Sequence, residues 1–299
     1  MTRFRMLPAS PWKKLSALAA PLIWAISSTQ AAIPGAWETF PTQANADAWQ
    51  VYDFNDGFDY IPDYNDSESG GKFIEFQHID DEPLIFYADY LPGDEALIGD
   101  YTEANVGAIS CEIYIEDLDK FEYTDCTVYA DGPAGLTTYY SEAFFYDQFD
   151  DDGWWKLTYS FDRPWYYFND DDEFVQVADN STFLHDVRRL EFGFYPREGT
   201  TAGAYAALDD VKLEPRLEPA DLTTGVTDGA FTLSFTKLPA VSYDLEKLSS
   251  AEPFSWSTVS GQTGQTAPGT FAFSTPTDQQ REIFRVSSEP IYTEIETDP

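Results

Sequence analysis

Short runs in which apolar and polar residues alternate dominate this 299-residue chain. Residues 187–195 and 204–214 show the pattern clearly, because every second position is apolar through much of each run. A period of two is typical of β-strands with one buried face, and Gly, Pro, Asp and Asn separate such runs along the chain. Helical periodicity is scarce. The pattern predicts an all-β protein in which residues 187–214 form a hairpin or a short meander.

The distribution of these runs predicts two modules. Residues 33–215 fit an antiparallel β-sandwich of two sheets. Residues 216–225 combine proline with charged residues, which is typical of a linker. Alternating runs over 226–290 predict a second, smaller sandwich of the immunoglobulin or fibronectin type, and its marginal core size implies that it leans on its neighbour. Residues 291–299 are predicted to be an acidic tail.

The first 31 residues have the features of a secretory signal peptide. Basic residues precede a short apolar run at 15–26, and small residues suit cleavage after Ala31. The apolar run is shorter than the roughly 20 residues that a membrane-spanning helix needs, and no later run is longer. We therefore predict an exported bacterial protein, secreted or at the cell surface, with no membrane span. A retained N-terminal anchor is the alternative.

The charge of the chain excludes several classes of partner. It contains 53 acidic and 17 basic residues, and the formal net charge is −36 at pH 7. Such a field repels nucleic acid and anionic lipid, and it opposes binding of polyanionic substrates. A hydrophobic content of 43% and an aromatic content of 17% nevertheless indicate a folded chain. We expect an acidic, folded protein with no nucleic-acid partner.

Cys111 and Cys126 are the only cysteines in the chain. Alternating runs flank the polar segment 117–120, and a turn there would place the two sulfur atoms opposite each other across a hairpin. Export to an oxidising compartment favours a disulfide between them, and two buried free thiols are the alternative. Neither cysteine has a partner at metal-ligand spacing.

Three motifs in residues 35–214 resemble the carbohydrate-binding-module-like, galactose-binding-like jelly rolls of secreted bacterial proteins. They are WETF at 37–40 followed by AW at 48–49, GWWKL at 153–157, and LDDVKL at 208–213. Residues 226–288 resemble a C-terminal module of exported proteins from environmental bacteria, for which no chemistry is established. That resemblance is carried by SFT at 234–236, YDLE at 243–246 and FRV at 284–286. Together they imply a jelly roll followed by a small β-sandwich.

Asp209 is the first candidate for a metal ligand. Alternation places it on the same face as Val211, and a carboxylate on a core face needs a cation or several donors. The jelly-roll resemblance implies a structural Ca²⁺ held by Asp209, with Asp210 as its substitute, and by Glu38. Hard oxygen ligands at these positions would join the first and last strands. The alternative is that Asp209 accepts backbone N–H bonds at a strand end.

Catalytic motifs are scarce in the sequence. The only histidines are His78 and His185, and no Gly-x-Ser-x-Gly motif occurs. Glu112 and Glu116 share a predicted strand face, but they lie roughly 13 Å apart along the strand, too far for a glycosidase pair. Acidic loops such as 150–153 lack the spacing of an EF-hand. We therefore predict no enzyme, with a jelly-roll polysaccharide lyase or hydrolase that uses His78 as an alternative.

Consecutive aromatic residues at 165–168 are the remaining candidate site. Trp165 and Tyr166 would form a platform on which a sugar ring stacks, and Arg163 would donate hydrogen bonds to sugar hydroxyls. The alternative is that these rings fill the core; Tyr139 and Tyr140 are a second, weaker pair. The leading hypothesis is an exported, non-catalytic protein that binds a polysaccharide or other glycan. A structural or adhesive surface protein without a small-molecule ligand is the alternative.

Overall fold

A computed structural model describes residues 32–54, 57–67, 71–78, 82–89, 95–149, 152–200, 204–217, 220–227, 230–251, 254–259, 269–276 and 284–295. The predicted signal peptide, residues 1–31, lies outside the described residues and stays a prediction. Within the described part of the chain, no helix is long and apolar enough to cross a membrane. The prediction of an all-β protein is confirmed.

The large sandwich contains the following elements: β1 (Ala36–Glu38), α1 (Gln43–Asp47), β2 (Gln50–Asp53), β3 (Phe58–Tyr60), β4 (Asp63–Ser67), β5 (Gly71–His78), β6 (Leu84–Ala88), β7 (Val106–Ile115), β8 (Phe121–Gly132), β9 (Gly135–Tyr140), β10 (Phe144–Phe145), β11 (Gly153–Ser160), β12 (Tyr166–Phe168), β13 (Phe174–Gln176), β14 (Val187–Pro196) and β15 (Ala204–Pro215). Short 3₁₀ turns lie at Glu95–Leu97, Leu118–Lys120, Tyr146–Gln148 and Asn180–Thr182. The later strands are β16 (Ala220–Thr227), β17 (Ala230–Lys237), β18 (Val241–Ala251), β19 (Phe254–Thr258), β20 (Gly269–Pro276), β21 (Phe284–Pro290) and β22 (Thr293–Glu294).

Two sheets face each other across the core of the large sandwich. Sheet A has the order β11-β7-β15-β1-β22, with β5 and then β4 beside the first half of β15. Sheet B has the order β13-β12-β9-β8-β14-β6-β2-β3, with β10 paired to β8. Alternate residues of both sheets fill the space between them, among them Ile113 and Leu208 from sheet A and Phe192 and Phe194 from sheet B. Each strand thus has a core face and an outer face.

Two predicted hairpins are wrong, because their strands belong to different sheets. β14 pairs with β8 and β6, whereas the following strand β15 pairs with β7, β5 and β1. β7 and β8 are likewise separated by the core, so Cys111 and Cys126 face it from opposite sheets. Both are buried free thiols, and the predicted disulfide is absent. Alternation identifies a strand but does not encode which strand it pairs with.

A β-bulge interrupts β15 at Asp209 and Asp210. Its register against β7 shifts between Asp209 and Lys212, and Asp210 has a φ of 54°. Leu208 before the bulge and Val211 after it both face the core. By alternation from Leu208, Asp209 therefore lies on the outer side of sheet A, not on the face of Val211 as predicted. One extra residue in a strand reverses the alternation beyond it.

The small module consists of two three-stranded sheets, β16-β17-β20 and β19-β18-β21. It has its own cluster of buried residues, formed by Leu233, Phe235, Val241, Tyr243 and Leu245. β16 begins at Ala220, so most of the segment predicted as a linker is a strand of this module.

The chain returns from the small module to the large sandwich through residues 291–295. The predicted acidic tail begins here, yet β22 pairs in parallel with β1 and Ile295 is buried in the core of the large sandwich. Asn45 of α1 donates to the carbonyl of Ile295 at 3.1 Å. Asn105 donates to the carbonyl of Pro239 at 3.1 Å. Hydrogen bonds therefore join both the small module and the segment that follows it to the large sandwich.

Candidate functional site

Trp165 does not form an exposed platform, so this part of the sequence prediction is wrong. Its side chain is fully buried, stacks on Phe161 at 4.9 Å and packs against Phe183. Its indole Nε1 donates to the Ser160 carbonyl at 3.1 Å. Arg163 lies exposed in the turn before β12, where its carbonyl accepts a hydrogen bond from Asn180.

Tyr166 lies on the outer face of sheet B, within a group of aromatic side chains. Its ring stacks on Phe174 at 4.8 Å, and Phe168 and Tyr140 contact the same Phe174 ring. Phe168 is 46% exposed and Phe174 is 43% exposed. Tyr139, the neighbour of Tyr140, instead is fully buried in the core. Because alternate residues of a strand face opposite sides of the sheet, Trp165 and Tyr139 lie in the core, whereas Tyr166 and Tyr140 lie on the outer face.

One cross-strand row runs across the outer face of sheet B. Starting from Tyr166, successive register partners on neighbouring strands give the row Gln176, Tyr166, Tyr140, Thr127, Glu191, Tyr87 and Gln50. Adjacent strands lie about 4.8 Å apart, so the six spacings of this row span about 29 Å. We call this set of seven residues the sheet B row. It runs across the strands from one edge region of the sheet to the other.

The Arg189 side chain lies near the middle of the sheet B row and contacts both aromatic and acidic groups. Its guanidinium lies 4.5 Å from the centre of the Tyr87 ring, 3.4 Å from the Asp89 carboxylate and 3.5 Å from the Glu191 carboxylate. Thr127 donates to the other oxygen of Glu191 at 2.5 Å. Among the described residues, the Nε of Arg189 has no hydrogen-bond partner. The centre therefore holds aromatic, donor and acceptor groups side by side.

Asp125 lies next to this centre and is only 6% exposed. Burial raises the pKa of its carboxyl group to about 8, and repulsion by Glu191 adds to the shift. Its Oδ1 has no hydrogen-bond partner within the described part of the chain. Gly193 makes room for it, because a Cβ there would lie 2.6 Å from that oxygen and 2.5 Å from the ring of Tyr195. Tyr195 in turn stacks on Tyr123 at 4.2 Å.

His78, the residue that the alternative of a lyase or hydrolase would use, belongs to a strand of the other sheet. The backbone of His78 ends β5 in sheet A, on the other side of the core, and its side chain lies outside the described residues. His185 is exposed, with its Nδ1 3.6 Å from the Asp100 carboxylate. His185 is not among the residues that contact Arg189 or Glu191 in the described part of the chain. Tyr87 and Thr127 of the sheet B row are only 5% and 3% exposed, so the row's accessible side chains are Gln176, Tyr166, Tyr140, Glu191 and Gln50.

The predicted calcium ligands Glu38 and Asp209 lie near each other, and each accepts hydrogen bonds from its own donors. Glu38 is buried; its carboxylate accepts from Asn45 at 3.1 and 3.2 Å and from the Phe40 amide at 2.7 Å. Asp209 accepts from the amide of Asp210 at 2.7 Å. Burial raises the pKa of Glu38 and of Asp209 to about 7, and the two carboxylates lie close enough to repel each other.

Asp210, the predicted substitute for Asp209, has other partners. Its carboxylate binds the Lys212 ammonium at 2.6 Å and accepts from the indole of Trp37. Among the described residues, no three or more His, Cys, Asp and Glu side chains form a group that could hold a metal ion. Any cation at this place would therefore rely on Glu38, Asp209 and backbone or amide oxygens.

No protein-family model and no curated protein matches the chain. Solved structures are similar to it in fold. The family 11 carbohydrate-binding module of Clostridium thermocellum, described in complex with a β-1,3-1,4-mixed-linked tetrasaccharide, is 16% identical with a TM-score of 0.39, over 63% of this chain and 99% of that one. The L4b domain of human laminin α-2 is 13% identical with a TM-score of 0.40, over 62% of this chain and 99% of that one.

A β-1,2-glucanase from Parabacteroides distasonis is 10% identical with a TM-score of 0.31, over 89% of this chain but only 38% of that one. Carbohydrate-binding modules, a laminin domain and a glucanase are thus among the solved structures that the chain resembles. Carbohydrate-binding modules, which the sequence motifs resemble, are found among the structural neighbours of the chain.

Proposed function

We propose that the large sandwich is a non-catalytic module that binds a linear polysaccharide along the sheet B row. The observation that carries the proposal is the row itself, in which the rings of Tyr166 and Tyr140 lie beside hydrogen-bonding side chains on the outer face of sheet B, over about 29 Å in all. Sugar rings present apolar C–H faces that stack on aromatic rings, and hydroxyl groups that both donate and accept hydrogen bonds. A row of this length takes several consecutive sugar units.

The charges of this face favour an uncharged polysaccharide. The carboxylates of Asp89 and Glu191 lie 3.4 and 3.5 Å from the Arg189 guanidinium, and the chain as a whole carries a charge of −36. This negative charge would repel the uronate or sulfate groups of an anionic polysaccharide.

The absence of catalysis is part of the proposal. Asp125 and Glu191 are acidic neighbours on adjacent strands, a pair that would suit a glycosidase if both reached the substrate. Asp125 is too buried to reach a glycosidic oxygen, since only 6% of it is exposed beside the stacked pair of Tyr123 and Tyr195. We expect binding without release of reducing ends.

Affinity electrophoresis of the full chain tests this proposal. The gels contain neutral β-glucan, xylan or glucomannan, and alginate or pectate serve as anionic counterparts. We expect retardation by at least one neutral polymer, loss of it in Tyr140→Ala and Glu191→Gln, and no retardation by the anionic gels. Phe58→Ala is the matched control, because Phe58 is 65% exposed but lies outside the sheet B row. The absence of retardation in every gel would refute the proposal and favour a structural or adhesive role.

We also propose that Glu38 and Asp209 hold a structural Ca²⁺ together with backbone oxygens. Glu38 is buried and Asp209 is partly buried, the two carboxylates repel each other, and their described hydrogen-bond partners are amide donors; a hard cation stabilises such a pair. Such an ion would supply positive charge between β1 and β15. Thermal unfolding with Ca²⁺ and with EDTA tests it: we expect a higher Tm with the ion, and equal Tm values would refute it.

A further inference from the structure

A second aromatic surface lies on the outer face of sheet A, on the opposite side of the sandwich from the sheet B row. It consists of Phe73, Tyr114, Trp154 and Tyr205, which we call the Trp154 patch. The rings come from four neighbouring strands, β5, β7, β11 and β15. Trp154 is 38% exposed, whereas the next residue, Trp155, packs against the core. The patch therefore presents an ordered indole to solvent.

Neighbouring rings hold this indole in place. The ring of Trp154 lies 5.2 Å from that of Phe73, which is 8% exposed, and 5.5 Å from that of Tyr114. Tyr205 contacts Tyr114 at 5.7 Å. The small side chain of Ala207, the register partner of Tyr114, is fully covered although it faces away from the core. A side chain fixed in this way loses little rotamer freedom when a ligand stacks on it.

Polar groups border the patch on both sides. Glu75 accepts hydrogen bonds from the hydroxyl of Tyr205 and from Asn65, so it is held as an acceptor next to the rings. Lys156, two residues beyond Trp154 on the same face, is the register partner of Glu112, so their opposite charges offset each other. An aromatic centre bordered by balanced donors and acceptors fits an uncharged sugar ring, whereas a uronate would meet the carboxylates of Glu75 and Glu112.

We propose that the Trp154 patch is a second contact site for a neutral sugar ring, separate from the sheet B row. The two sites face opposite directions, so one molecule can contact two polysaccharide chains. Linking two contacts in one molecule raises avidity for a polymer without strengthening either contact.

The test follows the indole N–H signals of the ¹⁵N-labelled full chain by NMR. The signal missing from the spectrum of Trp154→Phe identifies Trp154. The ligands are methyl β-D-glucopyranoside, methyl β-D-xylopyranoside and methyl β-D-mannopyranoside, with glucuronate as the charged counterpart. We expect a saturable shift of the Trp154 signal with at least one neutral glycoside and none with glucuronate. An unmoved Trp154 signal with every neutral glycoside would overturn the proposal.

Two further measurements separate this site from the sheet B row. In Tyr140→Ala the Trp154 shift is expected to persist, even if that variant no longer binds polysaccharide in gels; its loss would overturn the independence of the two sites. Light scattering at rising protein concentration tests a second copy of the chain as the occupant. A dimer that Trp154→Ala abolishes would overturn the proposal, and a monomer would support it.

Discussion

Asp125→Asn measures how ionisation of the buried Asp125 carboxyl group, beside the stacked rings of Tyr123 and Tyr195, affects the free energy of unfolding. The pKa of Asp125 is about 8 in the folded protein against an ordinary value of 3.8. Between these values the folded state keeps the proton and the unfolded chain loses it. The folded state therefore binds more protons, and its stability falls as pH rises, by about 1.4 kcal/mol per pH unit for this one group.

Between pH 5 and pH 7 this contribution to the free energy of unfolding amounts to about 3 kcal/mol. Asparagine does not titrate, so the variant loses this part of the pH dependence. Glu38 and Asp209 also have raised pKa values and act in the same direction, but they are present in both proteins and cancel in the difference. We expect the variant to gain stability relative to the native protein as pH rises.

Urea unfolding followed by tryptophan fluorescence at pH 5, 6, 7 and 8 measures this difference. The exposed carboxylate of Asp119 provides the control, and Asp119→Asn is expected to follow the native protein across the series. Parallel curves for Asp125→Asn and the native protein would refute the reasoning, because they would mean that Asp125 ionises at the same pH in both states.

Three further substitutions test the packing. Ile295→Ala should lower the free energy of unfolding by about 2–4 kcal/mol, since Ile295 is buried in the large core, whereas Ile33→Ala, at a residue 43% exposed, should change it little in urea unfolding. Trp165→Ala should lower the free energy of unfolding by about 3–5 kcal/mol and leave the polysaccharide affinity of the folded protein unchanged in gels. A loss of affinity without a loss of stability would instead mean that Trp165 contacts the sugar. Gly193→Ala should cost about 1–3 kcal/mol and weaken polysaccharide binding, because its Cβ meets Asp125; native behaviour in both assays would contradict the packing described.

The sequence predicts the strands of this protein better than their pairing. The alternation of Leu190, Phe192 and Phe194 identifies β14 correctly, because a half-buried strand needs a period of two. It cannot predict that β14 and β15 lie in opposite sheets, since that depends on contacts far apart in sequence. At Asp209 the bulge reverses the alternation, and no feature of LDDVKL marks the extra residue in advance.

The candidate site could be predicted only in part. Tyr166 belongs to the sheet B row, and Tyr140 was the member of the weaker pair that joins it. Tyr87 and Glu191 were missed, although each stands between two core residues of its strand, in β6 and β14. The sequence of each strand indicates which side chains face outward, but only the register of the seven paired strands shows that these side chains form one row.

Calorimetric titration with an oligosaccharide ladder, from the disaccharide to the octasaccharide of the polymer that binds in gels, measures whether successive sugar units bind along the sheet B row. A site that extends across seven strands should gain affinity with each added sugar until the row is filled, and Glu191→Gln should reduce the gain at the longer lengths. An affinity that does not change with chain length, or a ladder unaffected by Glu191→Gln, would contradict binding along the sheet B row.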